Sequence, residues 1–240
     1  MFLAGGLMAG EAGAKMDWLQ KGKDLLKGGS TTTAAPTVGS LTNSEIGSGL
    51  KEALRVGTET VVGKLGRTDG FNADPKVRIP LPKSLETVNN VLRKAGMSSL
   101  LDDLQLKLNR AAEEATPKAK ALFWKSIEEM TLEDVNGIYN GPDDAATRYF
   151  QKKMTPELSG EMRPIVDNSL SQVGAIQAYE KVMAKYRSMP FVPDVKANLS
   201  DHVVNEGIEG IFYYLAKEEA AIRQNPAKRT TDLLQKVFAK

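Results

Sequence analysis

Residues 100–115, LLDDLQLKLNRAAEEA, decide the fold class of this chain. The apolar residues recur at intervals of three and four positions, which places them on one face of an α-helix and the charged residues on the other. The residues of the apolar face are Leu100, Leu101, Leu104, Leu108, Ala111 and Ala115. Such a face is stable only when it is buried against a neighbour. The stretch therefore predicts a helix that packs against other helices.

The same spacing recurs on both sides of this stretch. The two further faces are Ile46, Leu50, Leu54, Val61 and Leu65, and Val204, Ile208, Ile211, Phe212, Leu215 and Ile222. Together the three stretches predict an all-α fold, a single compact bundle of about eight or more short helices, over residues 41–240.

Several local patterns predict where helices begin. Thr42–Glu45 and Thr131–Asp134 have the form of a capping box, in which the cap side chain and the carboxylate three positions later bind each other's backbone. Gly141–Asp144 predicts a helix end followed by a new start with two acids in its first turn. Three further pairs place a capping side chain before a proline, which suits the first helical position: Thr116-Pro117, Thr155-Pro156 and Asn225-Pro226.

Two segments depart from the helical spacing. In residues 76–82, KVRIPLP, the apolar residues Val77, Ile79 and Leu81 alternate with other residues, and the prolines would confine a strand to an edge. Residues 189–199 are also non-helical. The two segments are candidates for a minor two-stranded β element.

The N-terminal region differs in composition from the rest. Residues 1–14 combine a short apolar run with the small-residue pattern of a signal-peptidase site, without basic residues at the start, and are interpreted as a truncated signal peptide. The alternative is an unstructured or core-packed N-terminus in a cytosolic protein. Residues 15–40 are expected to form a short helix and a flexible linker. No stretch is apolar over the roughly 18 residues of a transmembrane helix.

Composition excludes several classes of function. The chain has 32 basic and 30 acidic residues, which argues against nucleic-acid binding driven by net charge. It has no cysteine and one histidine, and it lacks a nucleophile elbow and a phosphate-binding glycine loop. We therefore predict no catalytic set, no metal site and no cofactor.

The remaining polar candidates each have a structural alternative. Asp143 and Asp144 could hold a hard cation or act as acid and base, but a helix dipole alone would favour them. Arg148 is placed to pair with Asp144 on one helix face. Arg163 lies among apolar residues, which predicts a buried ion pair or, alternatively, an anion-binding site. The basic residues after Arg223 could contact anionic lipid or simply complement a helix dipole.

Aromatic residues predict the wall of a pocket. Tyr213 and Tyr214 are adjacent, so they cannot both face the centre of one narrow helical stripe. The predicted pocket-wall residues are Trp124, Tyr149, Phe212 and Tyr213. They would border an apolar groove between helices.

Three strings of the sequence together resemble a bacterial family known as domain of unknown function 4197. These strings are residues 76–82, 140–150 and 225–238. The similarity also includes residues 49–54 and 163–166, and it extends from about Leu41 to the end of the chain. Members of that family usually look like exported proteins of Gram-negative bacteria, which implies a periplasmic location here. The resemblance implies no activity.

The resemblance also indicates which polar residues to consider together. The candidates in its matching strings are Asp143, Asp144, Thr147, Arg148, Arg163, Arg229, Thr230 and Asp232. Since they lie in separate helices, we expect them to form one hydrogen-bonded network that either stabilises the fold or binds a polar head group.

The sequence thus favours a non-catalytic exported binding or interaction protein. Its apolar groove would hold a lipid, another small amphipathic ligand or a protein partner. One alternative is a hydrolase-type or cation-dependent enzyme that uses the carboxylate and arginine cluster. Another is a module for membrane-surface binding or self-association through the basic C-terminal helix.

Overall fold

The regular structure of the chain is helical throughout the part that is described. The computed structural model describes residues 42–193 and 197–238. The eight helices within these ranges are α1 (Asn43–Leu65), α2 (Glu86–Lys94), α3 (Ser98–Glu128), α4 (Leu132–Tyr139), α5 (Ala145–Gln172), α6 (Ala175–Arg187), α7 (Leu199–Gln224) and α8 (Asp232–Phe238). The predicted all-α bundle is confirmed.

Four long helices form the framework of the bundle. α1, α3, α5 and α7 have 23, 31, 28 and 26 residues, so these four are not the short helices that were expected. They pack in a ring, α1 on α3, α3 on α5, α5 on α7 and α7 on α1. The predicted apolar residues Leu101, Leu104, Leu108 and Ala111 of α3 have no exposed surface. The predicted apolar face of residues 100–115 therefore packs into the core.

Two of the predicted helix starts are wrong, because the helices continue through them. Pro117 lies inside α3 and Pro156 lies inside α5. The preceding threonines do not cap a helix. The Thr116 hydroxyl donates a hydrogen bond to the Ala112 carbonyl at 2.7 Å, and the Thr155 hydroxyl donates to the carbonyl four residues before it. A helical threonine has this local partner available, so the Thr-Pro pair alone does not mark a start.

The other predicted caps are mostly confirmed. Thr42 and Thr131 form capping boxes with Glu45 and Asp134, and the Asn225 side chain accepts a hydrogen bond from the Ala227 amide. The Asp143–Asp144 start is shifted, however. α5 begins at Ala145, so the two acids precede its first turn, and Asp144 makes no capping hydrogen bond.

Residues 76–82, called the extended segment below, begin in the turn of residues 75–77, continue without regular secondary structure, and pair with no strand within the described part of the chain. The expected alternation is present, since Val77 and Ile79 are buried and Arg78 is exposed. The partners of the segment are side chains of α3 and α7, among them Gln105, which donates to the Ile79 carbonyl at 3.2 Å, and His202, whose Nε2 lies 2.7 Å from the Pro80 carbonyl. The Asn109 amide accepts from the Ile79 N–H at 2.8 Å and donates to the Ile79 carbonyl at 2.9 Å. The buried amide of Asn109 therefore takes the place that a second strand was expected to fill.

Some predictions fall outside the description of the structure. The signal peptide of residues 1–14, the helix and linker of residues 15–40, and residues 194–196 of the second non-helical segment lie outside the described residues. Among the helices that are described, none is both long and apolar enough to cross a bilayer.

Candidate functional site

A buried carboxylate on α7 organises the start of α5. Glu219 is 9% exposed, and its oxygens accept hydrogen bonds from the Ala146 and Thr147 amides, both at 2.9 Å, and from the Thr147 hydroxyl at 2.9 Å. The first amides of a helix have no partner within the helix, and the helix dipole favours a negative charge beside them. Glu219 therefore caps α5 from a different helix.

Arg223 completes this buried cluster. Its guanidinium pairs with Glu219 at 2.9 Å and donates to the Ile138 carbonyl at 2.9 Å, with 10% of its side chain exposed. Arg229, one of the predicted site residues, donates to the carbonyls of Ile222 and Arg223 at 3.2 and 2.9 Å. It thereby satisfies carbonyl groups at the C-terminal end of α7.

A second buried carboxylate holds the loop between α1 and α2. Glu113 of α3 is 3% exposed and accepts hydrogen bonds from the Phe71 and Asn72 amides at 3.1 and 3.0 Å. Arg110 joins it to Asp69, with distances of 2.6 Å to Glu113 and 2.8 Å to Asp69. The hydrogen bond to Glu113 is the main cause that raises the pKa of Arg110. The loop is therefore tied to the bundle at a charged cluster.

These two anchors place three elements around a cleft of about 420 Å³. One wall is the row of residues 144, 147, 148 and 151 on α5, and a second is the row 206, 209, 210 and 213 on α7. The extended segment closes the third side. The lining residues are Lys76, Val77, Arg78, Asp144, Thr147, Arg148, Gln151, Glu206, Glu209, Gly210, Phe212, Tyr213 and Ala216.

Gly210 determines how closely the extended segment approaches α7. A Cβ atom at this position would lie 2.8 Å from Phe71 Cε1 and 3.2 Å from Val77 Cβ. Contacts this short do not occur without a shift of the neighbouring atoms. The absence of a side chain at Gly210 therefore lets the loop and the extended segment lie directly on the helix.

The cleft carries charges of both signs. Arg148 and Asp144 neutralise each other across 2.8 Å, as predicted. Lys76 and Arg78 on the extended segment and Glu206 and Glu209 on α7 line the cleft. Within the described residues, the side chains of these four make no ion pair. Two cationic and two anionic groups are therefore available to a ligand.

The predicted pocket-wall residues separate into two groups. Phe212 and Tyr213 line the cleft, Phe212 being buried against Phe123 and Tyr213 being 38% exposed. Trp124 lies under the Lys120 ammonium at 4.3 Å. The Tyr149 hydroxyl accepts a hydrogen bond from Lys153 at 2.6 Å, and burial raises the pKa of Tyr149. Neither Trp124 nor Tyr149 is among the residues that line the cleft.

The predicted polar network is also divided. Asp144, Thr147 and Arg148 line the cleft, whereas Asp143 and Arg229 line a second cavity of about 360 Å³ beside Gln224, whose amide donates to Asp143. Thr230 and Asp232 are exposed.

Arg163 is not buried, which corrects its predicted environment. It is 48% exposed and pairs with Asp201. It lies 16 residues after Thr147 on α5, a separation of about 24 Å along the helix. The apolar neighbours Met162 and Val166 are buried, and Arg163 is turned away from them by only about 60–100° around the helix axis. Arg163 therefore belongs to the surface and not to the cleft.

The apolar groove that the sequence suggested has no ligand-sized counterpart in the described part of the molecule. The apolar space between α1, α5 and α7 measures about 20 Å³ and is bordered by Phe238 of α8. Ligand pockets usually occupy ~300–1,000 Å³. None of the predicted pocket-wall residues lines this space. Within the described residues, no group of three or more acidic or histidine side chains could hold a metal ion.

Glu219 is the main residue of this region that sequence reasoning missed. It stands between Leu215 and Ile222 at helical spacing, within the predicted apolar face of α7. A charged residue in an apolar stripe must find partners when it is buried. The position of Glu219 within the apolar face was therefore the signal in the sequence that its carboxylate is buried and has partners.

The fold and the cleft define an all-α helical-bundle protein with a ligand-sized cavity of mixed charge. The chain belongs to the family described as protein of unknown function DUF4197, which matches residues 40–239. This confirms the resemblance found in the sequence. Neither the curated proteins nor the solved structures contain a match to this chain.

Proposed function

We propose that this chain is a non-catalytic binding protein that holds a small, charged amphipathic ligand in the cleft between α5, α7 and the extended segment. One observation carries the proposal: a cleft of about 420 Å³ combines an exposed aromatic ring with unpaired groups of both charges. A volume of this size suits a small molecule.

The lining determines which chemistry fits. Val77 and Phe212 provide apolar surface, and the half-exposed ring of Tyr213 offers a face for an aliphatic or cationic group. Lys76 and Arg78 suit a carboxylate or phosphate, and an arginine can bind either in a bidentate manner. A ligand with an apolar body and at least one charged end matches this arrangement.

The chemistry of the buried acids supports a binding role. A general acid or base must be free to exchange a proton with a substrate. Glu113 and Glu219 accept hydrogen bonds from backbone amides and arginines, so their carboxylates serve the fold. Asp144 is paired with Arg148.

Native mass spectrometry of the protein purified from its own host tests the proposal. We expect an additional bound mass on the wild type, and loss of that mass from Tyr213→Ala and from the double variant Lys76→Gln/Arg78→Gln. Ile176→Ala is the matched control, since Ile176 is similarly exposed on α6 and does not line the cleft. A wild-type protein that carries no bound molecule would contradict the proposal, and so would equal retention by Tyr213→Ala.

We propose further that the protein is exported to the periplasm. The small-residue pattern within residues 1–14 supports this proposal. Fractionation of a Gram-negative host followed by N-terminal sequencing would test it. A periplasmic product that begins near residue 15 is expected, and recovery of an uncleaved chain from the cytoplasm would contradict it.

A further inference from the structure

The turn after α6 presents an aromatic residue to solvent in a costly conformation. Phe191 is exposed over 104% of its reference area, more than any other large apolar residue of the described chain. Its φ angle is 60°, in the left-handed region that bulky residues rarely adopt. Both the exposure and the backbone angle are unfavourable, and no ring contact of Phe191 with the described residues offsets them. A role outside the fold would account for both features.

The turn that carries Phe191 follows a helix that is anchored in the core. Val182 and Tyr186 of α6 have no exposed surface, so the helix that precedes the turn is anchored in the core. The Met189 amide donates to the Tyr186 carbonyl at 3.1 Å, which continues the helical hydrogen bonding into the turn. Pro190 and Pro193 restrict the backbone on both sides of Phe191. The ring is therefore held away from the protein surface by its backbone.

The surroundings of Phe191 are basic. Residues 175–193 contain three basic residues, Lys181, Lys185 and Arg187, and one acidic residue, Glu180. Lys181 and Lys185 are exposed and lie one turn apart on α6, and Lys185 precedes Phe191 by six residues. An exposed aromatic ring that follows a helix with exposed lysines suits the interface of an anionic membrane.

A single exposed ring suits a lipid surface better than a protein surface. Protein interfaces are built on a contiguous patch with a buried centre, in which an aromatic anchor is surrounded by further contacts. Ser188 and Pro190, on the N-terminal side of Phe191, are exposed, and the ring stands apart from the apolar core. A bilayer accepts one aromatic side chain without a complementary pocket.

We propose that the Phe191 turn is a membrane-docking element, which inserts its ring into the interface of an anionic bilayer while Lys181 and Lys185 contact the lipid head groups. This surface is distinct from the cleft and does not depend on a ligand there. Docking of this kind is reversible and sensitive to salt, because the lysine contribution is screened.

Flotation of the full chain with vesicles tests the proposal. The vesicles are pure phosphatidylcholine and phosphatidylcholine with 30% phosphatidylglycerol. We expect the wild type to float with the anionic vesicles, and Phe191→Ala to lower the bound-to-free ratio about tenfold, as loss of one buried apolar side chain predicts. Lys181→Gln/Lys185→Gln should lower it about thirtyfold, as the loss of two lysine contacts with an anionic surface predicts. Leu132→Ala, which removes another exposed side chain on α4, should leave it unchanged.

A second variant separates docking from stability. Phe191→Gly removes the ring and suits the left-handed backbone, so it should lose binding while the melting temperature stays equal or rises. Equal flotation of Phe191→Ala and wild type would overturn the proposal. Equal flotation of the wild type with pure phosphatidylcholine and with the anionic vesicles would overturn it too. Failure to bind either kind of vesicle would also overturn it, even if Phe191 then proved necessary for binding a protein partner.

Discussion

At the scale of the residue, Glu219 connects three helices through one carboxylate. It caps the amides of Ala146 and Thr147, pairs with Arg223 and thereby reaches the end of α4 through the Ile138 carbonyl. Without this carboxylate, the two amides and the guanidinium would stay buried and would lose a hydrogen-bond partner. The carboxylate thus fixes the start of α5, which forms one wall of the cleft.

We predict that Glu219→Ala lowers the free energy of unfolding by about 3–5 kcal/mol, because it leaves a buried guanidinium unpaired. Chemical denaturation at neutral pH measures the change. Glu218→Ala is the matched control, since Glu218 makes only a partly exposed ion pair with Lys228 at 3.4 Å and should cost at most ~1 kcal/mol. Equal effects of the two variants would show that Glu219 does not have the capping role.

A second prediction concerns Asp69, whose pKa is lowered by the hydrogen bond from Asn72 and by Arg110. A lowered folded-state pKa stabilises the protein above the unfolded-state pKa, and this contribution is lost as the pH falls through the folded-state value. Asp69→Asn removes the charge and keeps a residue that tolerates the φ angle of 65°. We expect a lower melting temperature than wild type at pH 7 and equal melting temperatures near pH 2. A difference that persists at low pH would contradict this.

The individual residues of the site were only partly predictable from the sequence. Asp144 and Arg148 could be paired because both lie on one helix, four positions apart. Glu219 and Thr147 are 72 positions apart, so their contact depends on how α5 and α7 pack. Arg163 was misplaced because one residue separates the buried and the exposed face of a helix, and sequence neighbours do not reveal which face a side chain occupies.

At the scale of the element, α8 packs its apolar residues against the bundle. Its Leu234, Val237 and Phe238 are buried, and the helix packs on α1. Phe238 borders the small apolar space between the long helices. In one alternative interpretation the basic C-terminal helix contacts a membrane or a second copy; the apolar residues of this helix pack within the fold.

We predict that Leu234→Ala destabilises the protein by about 2–5 kcal/mol, as expected for a leucine with no exposed surface. The enlarged apolar space should also bind a hydrophobic dye such as ANS. Lys236→Ala, at an exposed position of the same helix, should change neither the stability nor the dye binding. An unaffected Leu234→Ala variant would show that α8 does not seal the bundle.

The boundaries of the helices show what local patterns can and cannot establish. Capping boxes were correctly predicted at Thr42 and Thr131, because two side-chain contacts must coincide there. The Thr-Pro pairs were ambiguous. A threonine and a proline also fit within a long helix, when the hydroxyl binds the carbonyl four residues earlier and the proline finds space. At Pro117 that space comes from Gly66, where a Cβ atom would lie 2.8 Å from the proline ring.

At the scale of the whole molecule, the fold class follows from periodicity alone. Three amphipathic stretches, beside only two short segments with a possible strand pattern, leave a helical bundle as the solution that buries all three faces. The ring formed by α1, α3, α5 and α7 could not be predicted in the same way. Which helices become neighbours depends on the matching of side chains across interfaces, and the spacing of apolar residues does not specify that matching.

Divalent cations should not affect the stability of the molecule. Because no suitable group of ligands occurs among the described residues, we predict that millimolar Ca²⁺ or Mg²⁺ leaves the melting temperature unchanged. Scanning calorimetry with each ion and with a chelator measures this. A rise in melting temperature with one of the ions would instead support the alternative of a cation-dependent enzyme. Asp143 and Asp144 would then be the first residues to substitute.

The two hydrogen bonds between Asn109 and the backbone of Ile79 affect the register of the extended segment on α3. A paired strand is aligned by many ladder bonds, whereas this segment is aligned by three side chains, Asn109 and Gln105 at Ile79 and His202 at Pro80. A slip by one residue would turn the buried Val77 and Ile79 outward and the charged Lys76 and Arg78 inward. Asn109 does not line the cleft, yet its two hydrogen bonds to Ile79 favour the register in which Lys76 and Arg78 do.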